Sequence, residues 1–570
     1  MNLQPIFDVA EICHQLGVKD AILSPGSRCA PLTLAFARHP KINTKTTSDE
    51  RSAAFVALGM SQQTEAPTVL ICTSGSAALN YAPAIAEAYF QHVPLIVITA
   101  DRPPEWIDQQ DGQTIRQQNI YGEHIKKSFQ FPVDLNHDDA KWHGQRMVSE
   151  AYNSATSFPH GPVHINIPFR EPFYPSDNDE YQFDANVKVI KQSNGSYAPD
   201  PEAINQLLDK WSKYNKKIIV GGQHKYDNKI VDLLNEITTR QKVPVLGDII
   251  SNLHTVENII SHSDVFLGQS KSGLHESLQP ELLVTFGNST ISKNLKLFLR
   301  QHRPIEHWHI QEAGQVADTY QSLTNIANCT PEYFLQKLIA CEEESNFDTQ
   351  KKENFYHLWE IEERKSRRLF AEFFPQEQLR EFEVIFEVMS KLDNVDLHLA
   401  NSMAVRYANY IGLNKDQKVN VFANRGTSGI DGSTSTAMGS SLASGRETIL
   451  ITGDMAFFYD RNAFWHNYSL KNLKILVLNN HAGGIFRMIN GPASQPELEE
   501  YFETNQRLSA KHLASEFDIP YLLLDKRSKL NNLVKEFIFS DGPIILEFES
   551  DSQENVDLLK AFKLQLNNLQ

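Results

Sequence analysis

The stretch TILITGDMAFFYDRNAFWHNYSLKNLKILVLNN (448–480) holds two short apolar runs, TILITGD and LKILVLNN. The first ends in Gly453-Asp454 and the second in Asn479-Asn480, with 24 residues between Asp454 and Asn479. That interval suits one helix followed by a strand, so the two strand ends lie side by side at one edge of a parallel sheet. Ligands of open parallel sheets bind beyond the carboxyl ends of the strands. Asp454 offers a carboxylate there and Asn480 an amide oxygen, both hard donors suited to Mg²⁺ or Mn²⁺. Magnesium seldom takes all six oxygens from protein and completes its shell with a carbonyl, water and ligand phosphates. The chemistry therefore points to a metal–diphosphate site, although Gly-Asp and Asn-Asn after strands are also ordinary turn sequences.

Similar runs recur outward from this stretch. The last third adds DLHLANS (396–402), VNVFANRG (419–426) and GPIILEFE (542–549). The first third opens on a helical pattern, Pro5 to Leu16, with Gly17 as its cap. It continues with AILS (21–24), TVLIC (68–72) and PLIVIT (94–99), which lead into SPGSR (24–28), TSGS (73–76) and ADRPPE (100–105). The middle third has KKIIVGG (216–222), VPVLGD (243–248), ELLVTFG (281–287) and HWHIQ (307–311). A polar, proline-bearing stretch at 171–200 reads as a linker, and the highly charged stretch at 342–368 as a solvated helix or linker. Strands alternating with helices predict an α/β protein of three doubly wound parallel-sheet domains, at 1–180, 181–365 and 366–570.

With 570 residues the chain exceeds what one core supports. Its net charge of -16 argues against nucleic-acid or anionic-membrane partners, which require a basic face. The five cysteines (Cys13, Cys29, Cys72, Cys329 and Cys341) form no CxxC pair, which fits a reducing, cytoplasmic compartment. The first residues read as an amphipathic helix and not a signal peptide, and no run is long enough to span a membrane.

Against this acidic background, cations stand in the predicted ligand-edge loops: Arg28, Arg102, Arg406, Arg425 and Lys293. A lone arginine is most simply a surface charge or a local ion pair. Several together suit a substrate with more than one carboxylate, because guanidinium binds carboxylate in bidentate fashion. Glu50 begins an alanine-rich helix in TKTTSDERSAAFVALGM (44–60), where an acid is also favoured by the helix dipole alone.

The GD…NN spacing, with Glu50 in its place after a short β-like run, resembles the thiamine-diphosphate enzymes. SPGSRCAPLTLAFA, SDERSAAFVALG, ITADRPPEW, GPVHINIPFREPFY, NRGTSGIDGSTSTAMG, GDMAFFYD and NNHAGGIF resemble the menaquinone-biosynthesis branch of that family. The resemblance implies a transferase that decarboxylates 2-oxoglutarate and adds the succinyl carbanion equivalent to isochorismate, using thiamine diphosphate and Mg²⁺ or Mn²⁺. Asp454, Asn480 and the carbonyl of Ala482 would hold the metal, and Glu50 would pair with the aminopyrimidine. Ile430 would prop the bent cofactor, with Ser428, Met455, Ala456, Gly483, Ile485 and Phe486 completing its site. Arg28, Arg102, Gln113 and Lys293 would contact isochorismate, and Ser402, Arg406 and Arg425 the succinyl or bridging carboxylates. Met455 stands where the signature usually has a third glycine, and Asn294 where relatives often carry a second basic residue. His481, beside the asparagine pair, is read as a loop residue. The resemblance also implies a homodimer or homotetramer with active sites between subunits. Competing readings are an acetolactate-synthase-like enzyme acting on smaller keto acids and a non-catalytic protein on the same fold. A nicotinamide dehydrogenase is discounted because GGQHKYDNK (221–229) lacks the GxGxxG spacing.

Overall fold

The computed structural model describes residues 3–171, 173–175, 180–183, 185–193, 200–269, 273–341, 349–374 and 379–568. Its strands fall into three sheets. The first comprises β1 (Asp20–Leu23), β2 (Asn43–Thr46), β3 (Thr68–Cys72), β4 (Leu95–Asp101), β5 (Lys127–Gln130) and β6 (Val163–Pro168), in the order β2-β1-β3-β4-β6-β5. The second comprises β7 (Lys217–Gly221), β8 (Val245–Gly247), β9 (Leu282–Phe286), β10 (Glu306–Gln311) and β11 (Asn325–Asn328), in the order β11-β10-β9-β7-β8. The third comprises β12 (Val395–Leu399), β13 (Val419–Phe422), β14 (Glu447–Gly453), β15 (Leu473–Asn479), β16 (Tyr521–Leu524) and β17 (Ile544–Glu549), in the order β13-β12-β14-β15-β17-β16. Every pairing in the three sheets is parallel.

The expected α/β architecture is therefore present, and its physical reason is visible in the burial. β3, β4 and β15 are buried along their whole length, as continuous apolar runs covered on both faces require. Edge strands such as β2 and β16 are more exposed and more easily missed in sequence. The first and third sheets share one strand order, and in both the order reverses between the first strand and the third.

Two connecting stretches differ from expectation. Tyr181, Phe183, Val187 and Val189 pack against the core of the first sheet, and Tyr181 stacks on Phe7 with ring centroids 4.8 Å apart. The described residues of the stretch at 171–200 thus strap that domain and do not hang free. Residues 342–348 lie outside the described residues, but the charged stretch beyond them is the helix Thr349–Phe373. Phe355, Trp359, Leu369 and Phe370 recur on its buried side, which is why this charged helix is only half solvated.

The first and third sheets meet through the helices Glu50–Thr64 and Ser433–Ala443. Asp49 caps the former, accepting from Arg51 N–H at 2.9 Å and Ser52 N–H at 3.3 Å. A Cβ at Gly59 would lie 2.0 Å from the Thr436 carbonyl oxygen, and one at Gly439 would lie 2.0 Å from that of Val56. Among the described residues, no helix is long and apolar enough to cross a membrane. Gly439→Ala should lower stability by about 1–3 kcal/mol through overpacking. Thermal unfolding would show this against Gly445→Ala, whose Cβ meets open space and should leave the melting curve unchanged.

Candidate active site

The third sheet builds its site at the carboxyl edge. Gly453 of β14 is paired with Leu478 of β15, so Asp454 and Asn480 emerge from neighbouring strands. Asn401 and Ser402 follow β12, on the other side of the reversal in strand order, where a crevice opens. A cavity of about 480 Å³ occupies this place. Its walls carry Ser402 and, from the helix Met403–Ile411 after β12, Arg406, with Arg425, Ser428 and Ile430 from the loop after β13. Asp454, Met455 and Ala456 come from the turn after β14, and Asn480, Ala482, Gly483, Ile485 and Phe486 from the turn after β15.

Asp454 is almost wholly buried, at 2% exposure. Its carboxylate accepts from Met455 N–H at 2.9 Å and from the Gln506 side chain at 2.8 Å. Burial pushes its pKa up to about 6. Asn480 donates its amide nitrogen to Glu381 at 2.8 Å, while its Oδ1 accepts from Ala482 N–H at 3.1 Å. The Glu381 carboxylate thereby fixes which end of the amide is oxygen. Burial pushes Glu381 up to about 7, opposed by its hydrogen bonds from Asn480 and Ser550, with the Asp454 charge adding to the rise. Among the described residues, no three His, Cys, Asp or Glu side chains group together as a metal cage. The donor set is instead one carboxylate, one amide oxygen and backbone carbonyls, which fits Mg²⁺ or Mn²⁺ completed by water and a diphosphate.

At the other wall, Arg406 donates to the Ser402 carbonyl at 2.5 Å and Arg425 to Asn401 Oδ1 at 2.8 Å. The Arg425 Nε is buried without a hydrogen-bond partner among the described residues. An unsatisfied guanidinium N–H suits an anionic ligand. Ser402 and Ser428 hold φ of 71° and 63°, conformations costly for serine and concentrated at functional loops. Ile430 is 40% exposed at the cavity wall. His481 turns the chain with φ of 58°.

The remaining candidate residues stand elsewhere. Glu50 is half-buried at the start of its helix, at the carboxyl edge of the first sheet. It lies close enough to Cys29 and Cys72 for its charge to add to the rise that burial imposes on both thiols. On the same edge Arg28 donates to the Phe169 carbonyl at 2.7 Å and lies over the Phe173 ring at 4.6 Å. Arg102 pairs with Asp111 at 3.3 Å and donates to the Gly112 carbonyl at 2.8 Å. Gln113 is exposed beside Gly75, whose N–H is accepted by the buried Gln117 at 2.8 Å. Lys293 is an exposed first residue of a helix in the middle domain. None of these five lines the third-sheet cavity. Sequence reasoning missed Glu381, Gln506 and Gln117, because their partners lie 52 to 99 residues away for the first two and 42 for the third.

Three family models match in series. They are "Thiamine pyrophosphate enzyme, N-terminal TPP binding domain" over 7–120, "Middle domain of thiamine pyrophosphate" over 191–398, and "Thiamine pyrophosphate enzyme, C-terminal TPP binding domain" over 402–548. A protein of Cytophaga hutchinsonii named 2-succinyl-5-enolpyruvyl-6-hydroxy-3-cyclohexene-1-carboxylate synthase is 47% identical over 98% of both chains. The chain belongs to this synthase family. Family members of the same name from Flavobacterium johnsoniae (38% identical, 97% of each chain) and Porphyromonas gingivalis (34%, 97% of this chain and 95% of that one) agree with it. The synthase family thus accounts for all three sheets, with thiamine diphosphate as the cofactor of the two terminal domains.

In the metal-free protein the raised Asp454 pKa has a definite sign. Its contribution to stability is fully present below about pH 4 and is lost as pH rises through 6. Asp454→Asn should therefore flatten the fall in melting temperature of metal-free protein between pH 4 and pH 7. Differential scanning fluorimetry across that range would reveal an unchanged slope if the carboxylate carries no such penalty.

Proposed function

We propose that this transferase decarboxylates 2-oxoglutarate and adds the succinyl carbanion equivalent to isochorismate, giving 2-succinyl-5-enolpyruvyl-6-hydroxy-3-cyclohexene-1-carboxylate and CO₂. The observation that carries the reading is the single cavity with oxygen donors for a metal–diphosphate at one wall and two arginines at the other. Thiamine diphosphate supplies the electron sink for decarboxylation when bound. In this reading Asp454, Asn480 and the Ala482 carbonyl hold Mg²⁺ or Mn²⁺, and Ser428, Met455, Ala456 and Gly483 line the cofactor. Ile430 supports its bent shape, and Ile485 and Phe486 keep water from the reacting carbon. Ser402, Arg406 and Arg425 bind the succinyl or bridging carboxylates, while Arg28, Arg102, Gln113 and Lys293 serve isochorismate. Glu50 holds the hydrogen bond at an aminopyrimidine nitrogen.

Glu50 and the cavity belong to different domains, and in this reading the first-sheet edge of a second copy, as the family resemblance implies, completes the site. The reading therefore includes a homodimer or homotetramer with sites between subunits, built from units 1–180, 181–365 and 366–570. It also includes a cytoplasmic location, in keeping with five cysteines that no disulfide joins.

An ultraviolet assay of isochorismate with 2-oxoglutarate, thiamine diphosphate and Mg²⁺ tests the reaction. Consumption should require all four components. Pyruvate carboligation with no loss of isochorismate would assign the chain to smaller keto acids instead. Glu50→Gln should retain cofactor binding, measured by tryptophan quenching, and lose on the order of 10²- to 10⁴-fold in turnover. Near-normal turnover in that variant would remove Glu50 from the mechanism.

A further inference from the structure

The loop Asn424–Gly432 brings Arg425, Ser428 and Ile430 to the cavity, yet it is fastened from outside its own domain. Glu87, in the helix Ala82–Gln91 of the first domain, is 1% exposed. One of its carboxylate oxygens accepts from Gly426 N–H at 2.6 Å, and the other from Thr427 N–H at 2.7 Å. The Thr427 hydroxyl and the Gln91 side chain also donate to it. These four donors are all neutral, and two are consecutive backbone amides, so the carboxylate grips the chain itself. The approach leaves no room at position 426, where a Cβ would lie 2.7 Å from the Glu87 carbonyl oxygen. Arg425 immediately precedes the gripped amides, and its side chain is held at one further point, Asn401. Asn401 in turn donates to the carbonyls of Asn424 and Gly429, closing the loop on itself.

We propose that Glu87 is a positioning residue: through the amides of Gly426 and Thr427 it sets the pose in which Arg425 meets a substrate carboxylate. The proposal rests on the reading of Arg425 as a carboxylate-binding group. Burial lowers the Arg425 pKa and Arg406 adds to this, while Asp248 and Glu87 oppose it, so the Glu87 charge also acts on the guanidinium. A carboxylate is required at this place because all its partners are donors. A glutamine would turn an NH₂ group toward one of them and break the grip.

Full-length Glu87→Gln, Arg425→Ala and the double variant, each with thiamine diphosphate and Mg²⁺, form a double-mutant cycle. Glu87→Gln should raise the KM for 2-oxoglutarate roughly tenfold, with a much smaller change in kcat and in half-saturating thiamine diphosphate. In the Arg425→Ala background the same change should add little, because its effect passes through the guanidinium. A purely structural role would instead shift melting temperature, kcat and cofactor affinity together and add in full to Arg425→Ala. That result, or an unchanged KM in folded Glu87→Gln, overturns the proposal while leaving the Arg425 reading intact. An unchanged KM in Arg425→Ala overturns both. Glu87→Asp, which keeps the charge but shortens the reach to the two amides, takes the place of Glu87→Gln in the cycle if the latter does not fold.

Discussion

Two glycines, Gly59 and Gly439, let a helix of the first domain and a helix of the third approach until backbone meets backbone. Small residues recur along both helices, and most of their residues are buried. Glu50 opens one of these helices, and the loop bearing Arg425, Ser428 and Ile430 leads directly into the other. Their contact therefore sets where both sheet edges stand. Asn462, which donates to Asp49 at 2.6 Å, and Glu87, which holds Gly426 and Thr427, tie down the two ends of the same arrangement.

The electrostatics of the site follow from burial in an otherwise acidic chain. Asp454 and Glu381 are neighbouring carboxyl groups with little access to solvent, and each is pushed toward its neutral form. A divalent cation at Asp454 would reverse that preference, since an opposite charge at close range favours the ionised form. Across the cavity the Arg406 charge opposes that of Arg425, and among the described residues Arg406 donates to the Ser402 carbonyl and Arg425 to Asn401. The cavity thus has two ends of opposite chemistry: oxygen donors for a cation, and guanidinium groups for an anion.

Much of this was legible in the sequence because strand ends are short, local signals. TILITGD and LKILVLNN are adjacent strands whose following residues line one cavity, as their spacing suggested, and NRGTSGIDG supplies the wall opposite. The residues that hold these groups in place were not legible. Glu381 reaches Asn480 from 99 residues away, and Glu87 reaches Gly426 from 339, so no local pattern links either pair. Nor could periodicity place Glu50 or Lys293 with respect to the cavity, since that depends on tertiary packing between distant parts of the chain. The charged stretch beyond residue 348 was ambiguous for a different reason. Its apolar residues recur at helical spacing, but they are outnumbered by charges on the solvent side.

That same helix, Thr349–Phe373, belongs to two cores at once. Phe355 and Trp359 lie among residues of the second sheet and its helices, while Leu369, Phe370 and Phe373 lie among those of the third. The backbone ladder runs unbroken between the two sets of side chains, so the position of one set constrains the other. The second and third sheets are therefore joined by a rigid element as well as by the chain, although each has a core of its own. A chain severed between Trp359 and Leu369 would leave each fragment the side chains that its own core buries, and would remove only the rigid link between the two sheets.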